Sequence, residues 1–263
     1  MPPEPSAEPL DLSATLVPGA PAATGNVTIK LGDDHIPIRV TVPVEPTTLE
    51  PLLPIFQGFL GAMVDRAVGQ AAAAGLSVSC RAGCGACCRQ AVPIAPSEAR
   101  DVAAHVAAMP DARRTQVQAR FAAARQALAA AGIGDRAATF DAATMEDRLA
   151  FGMAYFRAGV ACPFLEDESC SIHPVRPLAC REYLVTSPAE NCRWPTMDNV
   201  RPVRLGGSLG QALIATEAVM AGHGRLLLVD ALDWAAANPA PPPVHNGPSL
   251  VKGVFDVLAK LSG

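Results

Sequence analysis

Hydrophobic and polar residues alternate over residues 26–43, NVTIKLGDDHIPIRVTVP. Val27, Ile29 and Leu31 share one face, and Ile36, Ile38, Val40 and Val42 resume the alternation after Gly32–His35. Successive side chains of a strand point to opposite faces, so this period of two predicts a β-hairpin with a four-residue loop. A lone hairpin is marginal in water. It is therefore expected to pack on a helix or on a partner. Asp33, Asp34 and His35 are metal-binding residue types, but they are also ordinary turn residues, and the turn reading is preferred.

Downstream the period lengthens to that of a helix. Leu52, Phe56, Phe59, Met63 and Ala67 recur at helical spacing toward Gly75. Thr47-x-x-Glu50 ahead of them is a capping-box pattern, although Pro51 and Pro54 argue for a later start. One helix is expected from about Ser97 to Met109. A second runs from Asp111 to about Ala131, with Val117, Phe121, Ala124 and Leu128 on one seam. Joined at Met109–Pro110, the two read as an antiparallel hairpin. Residues 132–143 form a loop. Thr144-x-x-Asp147 then opens a helix with Leu149, Met153 and Phe156 apolar, ending at Gly159. Further helices are predicted over 208–222 and 225–237. A proline-rich linker, PAPPPVHNGP, leads to a last amphipathic helix carrying Leu250, Val254, Val257, Leu258 and Leu261.

These elements predict a mainly α fold. Residues 1–24, rich in Pro, Ala and Glu, are expected to be a disordered tail. Residues 25–238 form one helical domain with a loop-rich cysteine site and the small N-terminal hairpin. Residues 239–263 supply the linker and last helix. Half of the residues are hydrophobic, enough for a sizeable core, and only 5% are aromatic. The net charge of −4 argues against a nucleic-acid-binding surface. The apolar stretch LLPIFQGFLGAMV is too short for a membrane span and holds a Gln. The start, MPPEPSAEPL, lacks the basic and apolar regions of a secretory signal. A cytoplasmic protein is expected. In that compartment disulfides are rare, and short-spaced cysteines more often bind metal or do redox chemistry.

The chemistry lies in the eight cysteines. Four fall between Cys80 and Cys88, in CRAGCGACC; Cys162, Cys170, Cys180 and Cys192 form a second block. Such concentration suggests that the sulfurs converge. Cys80-x3-Cys84-x2-Cys87 puts three thiols on a tight turn with Gly83 and Gly85. The spacing fits tetrahedral zinc and also a cubane cluster. Adjacent Cys87 and Cys88 cannot easily chelate one ion, because neighbouring side chains diverge. One of them is left for a second centre, for the second block's site, or as a free thiol. Arg81, Arg89, Arg181 and Arg193 each follow a cysteine, where a guanidinium favours thiolate. His173 is a candidate nitrogen ligand, although eight thiols already suffice for one or two sites. Glu166, Asp167 and Glu168 read as a solvated acidic turn. No Ser–His–Asp arrangement, phosphate loop or HExxH can be argued.

GCGACCRQ at 83–90, CPFL at 162–165 and CSIHPVRPLACREY at 170–183 resemble the YkgJ-type cysteine-cluster family, described as zinc- or iron-chelating proteins. The resemblance covers about residues 80–192. It implies that Cys80, Cys84, Cys87, Cys88, Cys162, Cys170 and Cys180 are metal ligands. Cys192 falls where many members place a further cysteine, and His173 stands where the family usually has Tyr. The implied function is a metal-binding protein holding zinc or iron. One alternative is an iron–sulfur enzyme with a 4Fe-4S cluster, similar to S-adenosylmethionine-dependent flagellin lysine methylases. The other is a thiol-redox sensor using Cys87 and Cys88. Whether the chain is an enzyme stays open. The expected partner is a metal ion, without nucleic acid or membrane, and the apolar hairpin leaves room for a protein partner or a homodimer.

Overall fold

The alternating stretch folds into two antiparallel strands and gains a third. In a computed structural model, which describes residues 8–31, 34–133, 144–196, 198–222 and 224–262, strands β1 (Leu10–Ser13), β2 (Ala22–Leu31) and β3 (Asp34–Pro43) form one sheet in the order β1-β3-β2. β2 and β3 pair antiparallel from Ala22 opposite Pro43 to Leu31 opposite Asp34; β1 runs parallel to β3, with Leu10 opposite Ile38. β1 lies in the stretch expected to be disordered. Four residues are too few for a legible period, but Leu12 and Ala14 are buried and the free edge of β3 supplies backbone partners. Ile29, Leu31, Ile38, Val40 and Val42 face the core, whereas Val27 is exposed. Of the expected loop, Asp34 and His35 belong to β3, and Gly32 and Asp33 lie outside the described residues. Asp34 forms an ion pair with Arg66.

The helices follow in order. A 3₁₀ turn over Glu50–Leu52 leads into α1 (Leu53–Ala73). The Thr47–Glu50 pattern does not cap α1, and Thr47 instead exchanges two 2.8 Å backbone hydrogen bonds with His245. The stripe of Phe56, Phe59, Met63 and Ala67 is buried as expected. Beyond α1 come β4 (Pro93–Ile94), α2 (Pro96–Ala107), α3 (Asp111–Ala130) and α4 (Met145–Arg157). Then follow β5 (Leu165–Glu166), β6 (Ser169–Cys170), α5 (Leu178–Glu182) and α6 (Leu209–Ala221). β7 (Leu226–Leu227), α7 (Ala231–Ala237) and α8 (Gly247–Leu261) complete the order.

Three details depart from the helical readings. Residues 225–237 are not one helix: β7 pairs with β4, and a 3₁₀ turn precedes α7. The run Leu226–Val229 is apolar on every side, which suits a buried strand and turn better than an amphipathic helix. Second, α4 has the expected Thr144–Asp147 capping box but buries Phe151 and Tyr155 while Leu149 is exposed. The expected loop 132–143 lies outside the described residues from 134 onward. Third, α8 is not a piece beyond the domain. Its Leu250, Val251, Val254, Phe255 and Leu258 belong to the main core, so the boundary expected at 238/239 cuts through that core.

The main core lies between the sheet, α1, α6 and α8. Phe255 of α8 meets Phe59 and Phe56 edge-on, with centroids 4.9 and 5.9 Å apart. A second, smaller core collects Val92, Val102, Val106, Val117, Phe121 and Phe164 between α2, α3 and the cysteine loops. A satellite patch joins Leu128 of α3 to Phe151 and Tyr155 of α4.

Three glutamates tie the two main cores together. Glu98 of α2 accepts from the backbone N–H of Leu178 at the start of α5 (2.8 Å) and of Ala95 (3.0 Å). Glu182 of α5 accepts from Ser208 Oγ (2.8 Å) and the Gly210 N–H (2.9 Å) at the start of α6. Glu217 of α6 accepts from the Ser97 N–H (3.0 Å) and its hydroxyl at the start of α2. Each carboxylate therefore satisfies donors that the first turn of the next helix leaves free, and the three links close into a ring. Burial raises the pKa of all three, Glu98 and Glu217 to about 7.

Candidate metal centre

The first cysteine block is a chain of turns. The Cys84 N–H donates to Arg81 O (3.1 Å), that of Cys88 to Gly85 O (3.0 Å) and that of Gln90 to Cys87 O (3.2 Å). Gly85 permits a close approach, since a Cβ there would meet Leu165 Cδ1 at 2.5 Å and the Glu168 backbone O at 3.0 Å. The second block is stitched to the first by the Cys162 N–H, which donates to Cys88 O at 2.7 Å. β5 and β6 then form a tight hairpin whose Asp167 and Glu168 take positive φ (47° and 58°), placing Cys170 opposite Leu165. Cys180 sits mid-way along α5, and Cys192 on the 3₁₀ turn Ala189–Arg193.

All eight cysteines line one cavity of about 480 Å³, and all eight are free thiols. Cys80 and Cys84 pack beside Cys192, against Ala86 and Val185. Cys162, Cys170 and Cys180 pack against the second core, which includes Phe164 and Ile172. Among the described residues no three His, Cys, Asp or Glu side chains are drawn tightly enough together to grip an ion. The sulfurs ring the cavity without clasping its centre.

The donor set fits zinc or iron. Soft thiolates select these metals. Burial pushes the thiols of Cys162 and Cys192 up to about 11, that of Cys180 well above its ordinary value, and those of Cys80 and Cys170 upward. The Cys87 thiol rises too, chiefly through its hydrogen bond with Cys88 and then through burial. Neighbouring thiolates add repulsion, and a cation among them would relieve both penalties at once. Zinc or iron bound here would be held by thiolates of these cysteines. It would hold together the loops that carry them.

The arginines after the cysteines do less for the thiols than their positions suggest. Arg89 donates to Glu168 (2.7 Å) and Gly85 O (3.0 Å), and Arg193 to Glu168 (3.3 Å). Arg181 donates to Arg176 O (2.9 Å) and to Pro174 O. The cation that acts on several thiols is Arg176, whose charge opposes the upward shifts of Cys80, Cys87 and Cys170. Its buried Nε has no hydrogen-bond partner among the described residues. Arg176 escapes a search for arginines adjacent to cysteine. The available signal was its place as the one Lys or Arg between Cys170 and Cys180. His173 lines the cavity but is exposed, and Arg176 lowers its pKa.

The acidic turn is not merely solvated. Glu166 pairs with Arg113 and Arg120 of α3, and Glu168 with Arg89 and Arg193, so the turn clamps both cysteine blocks and the helical hairpin. These guanidiniums hold both carboxyls below the usual carboxylate range. Tyr183, also on the cavity wall, packs against the cluster that holds Cys192.

No helix among the described residues is long and apolar enough to cross a membrane. No curated protein and no solved structure matches the chain. Residues 79–197 match one family, CxxCxxCC, described as "Putative zinc- or iron-chelating domain". The matched span runs from just before Cys80 to just after Cys192 and takes in every cysteine of the chain. The segment that walls the thiol cavity is thus the part of the chain that is similar to the CxxCxxCC family, whose description is a zinc- or iron-chelating domain.

Proposed function

We propose that this protein binds zinc or iron through a two-block cysteine cluster, with Cys80, Cys84, Cys87, Cys88, Cys162, Cys170, Cys180 and Cys192 as its thiol donors. The observation that carries this reading is the single cavity lined by all eight. Eight unpaired thiols suit a reducing compartment, so the reading includes a cytoplasmic setting. A thiol-redox sensor is less well supported. Reactive cysteines have lowered pKa values, whereas burial here moves five of the eight upward and Cys87 is raised chiefly by its neighbour Cys88.

The test is metal and acid-labile sulfide content of full-length protein purified without oxygen. Zinc without sulfide supports a structural or metal-handling site. Iron with matching sulfide supports a 4Fe-4S cluster and reopens an S-adenosylmethionine-dependent reaction. Protein containing neither metal, and taking up neither when reconstituted, would overturn the proposal.

A further inference from the structure

The three-stranded sheet ends on two unlike edges. β1 closes one with four residues and an ion pair between its Asp11 and Arg39 of β3. β2 forms the other over ten residues, and among the described residues nothing pairs with its outer side. Edge strands commonly carry charge, proline or a bulge that blocks further pairing. Ala22–Ile29 has none of these. AATGNVTI holds no charged residue and no proline, and its register with β3 is unbroken.

The backbone of this edge is set to pair. The Val44 N–H donates to Pro21 O (3.0 Å), and the register continues with Ala22 opposite Pro43. In an antiparallel ladder, residues that exchange hydrogen bonds alternate with residues that do not. The odd-numbered residues of β2 therefore bond β3, while Ala22, Thr24, Asn26, Thr28 and Lys30 turn their N–H and C=O to the open edge. Pro37, which has no N–H to give, sits opposite Thr28, where this pattern needs none. The inner face is open as well. Ala23, Gly25 and Val27 are exposed, and with α8 they border an apolar groove of about 590 Å³. A Cβ on Gly25 would meet nothing within 4 Å. Lys252 and Asp256, paired one helical turn apart on α8, stand on the groove's far wall.

We infer that β2 is the interface with a second copy of this chain, paired antiparallel about a two-fold axis at Asn26, so that three strands from each copy make one sheet. A two-fold contact must be complementary to itself, and this strand is. The register engages β2 from Ala22 to Lys30 and sets small against large on the inner face: Gly25 lies opposite the partner's Val27, and Ala23 opposite the partner's Ile29. On the outer face Thr24 meets the partner's Thr28, a favourable cross-strand pair. The axis also reverses α8, turning Lys252 of one copy toward the partner's Asp256. A strand that carries its own complement favours a second copy over an unrelated peptide. The interface lies outside residues 79–197 and does not depend on the metal-binding reading.

The test is the mass of the full-length, reduced protein by sedimentation, together with residue-resolved amide exchange. The expected mass is twice the chain's 27.2 kDa, with and without chelator. The amides of Thr24, Asn26 and Thr28 should be protected in the dimer, as those of Val27 and Ile29 are by β3. Val27→Lys puts a charge into the groove, and Asn26→Pro removes an N–H that faces away from β3. Each should give the single-chain mass and lose the protection at Thr24 and Thr28. A single-chain wild type throughout the micromolar range would overturn the inference and leave the edge to an extended segment of another protein. So would a dimer that both variants keep, one that chelator dissociates, or one whose Thr24, Asn26 and Thr28 amides exchange freely. The wild-type mass and exchange pattern decide even where a variant fails to fold.

Discussion

The two main cores share walls but close by different means. Around Phe56, Phe59 and Phe255, the sheet, α1, α6 and α8 bring apolar faces together. Around the cysteines, short turns, a two-residue hairpin and the five-residue α5 bring eight thiols to the rim of a space they do not fill. The first region is held by area removed from water. The second has apolar support on its flanks only, and its centre is lined by thiols, most of them half-buried, whose ionised forms would repel one another. A chain can therefore specify one region through packing and leave another to be finished by a ligand.

The largest effect expected from that contrast is in the apolar core. Phe59→Ala removes a fully buried ring that meets Phe255 and should cost about 3–5 kcal/mol. Denaturant unfolding with and without chelator is the measurement, and the loss should be the same in both. A loss that appears only with metal present would mean that the regions do not differ as argued.

Next is the joint between the regions. Glu98→Ala leaves the buried N–H groups of Ala95 and Leu178 unsatisfied, at about 1–3 kcal/mol. Amide exchange at Leu178 should quicken more than exchange within α1. Equal quickening everywhere would show that the link is not local.

The same joint has a pH signature. Burial raises Glu217 from 4.5 to about 7, so its ionised form is disfavoured in the folded chain. The stability tied to this group is whole below pH 4.5 and is lost as the pH climbs through 7. Glu217→Gln, which cannot titrate, should show a shallower fall of thermal midpoint over that window than the wild type. Comparing the two at each pH cancels the contribution of the thiols. Parallel curves would count against a titrating carboxyl at this place.

The smallest effect sharpens the thiol side. Arg176→Gln removes the cation that faces Cys80, Cys87 and Cys170 and should weaken metal binding on the order of tenfold, read by chelator competition. Phe59 packing and apo-protein unfolding should not change. Undiminished affinity would assign Arg176 a purely structural place.

Much of this was legible in the sequence because it rests on periods and spacings. The hairpin, the stripe of α1, the α2–α3 pair and the gathering of the cysteines follow from repeats of two, of three to four, and of short Cys-x-Cys intervals. What escaped depends on contacts between distant segments. β1 has only Leu10 and Leu12 to mark it, and its partner lies beyond β2. The buried roles of Glu98, Glu182 and Glu217 leave no local mark, because each carboxylate looks like any surface residue on an amphipathic helix. Arg176 reaches the thiols through the fold, not through adjacency in the chain.

The carboxylate ring also fixes an order of events along the chain. Its three links join residues 80, 28 and 120 positions apart, through Leu178, Gly210 and Ser97. Contacts of such separation form late, because the intervening loops must close first. While the chain is being made, the first cysteine block emerges long before Glu217 does. During that interval its thiols stand in an open, unfinished pocket, exposed to whatever metal or oxidant is at hand. The helix that carries Cys180 is locked at both ends only when α6 arrives. A metal bound by these thiols would find its easiest access during synthesis, before the last link shuts.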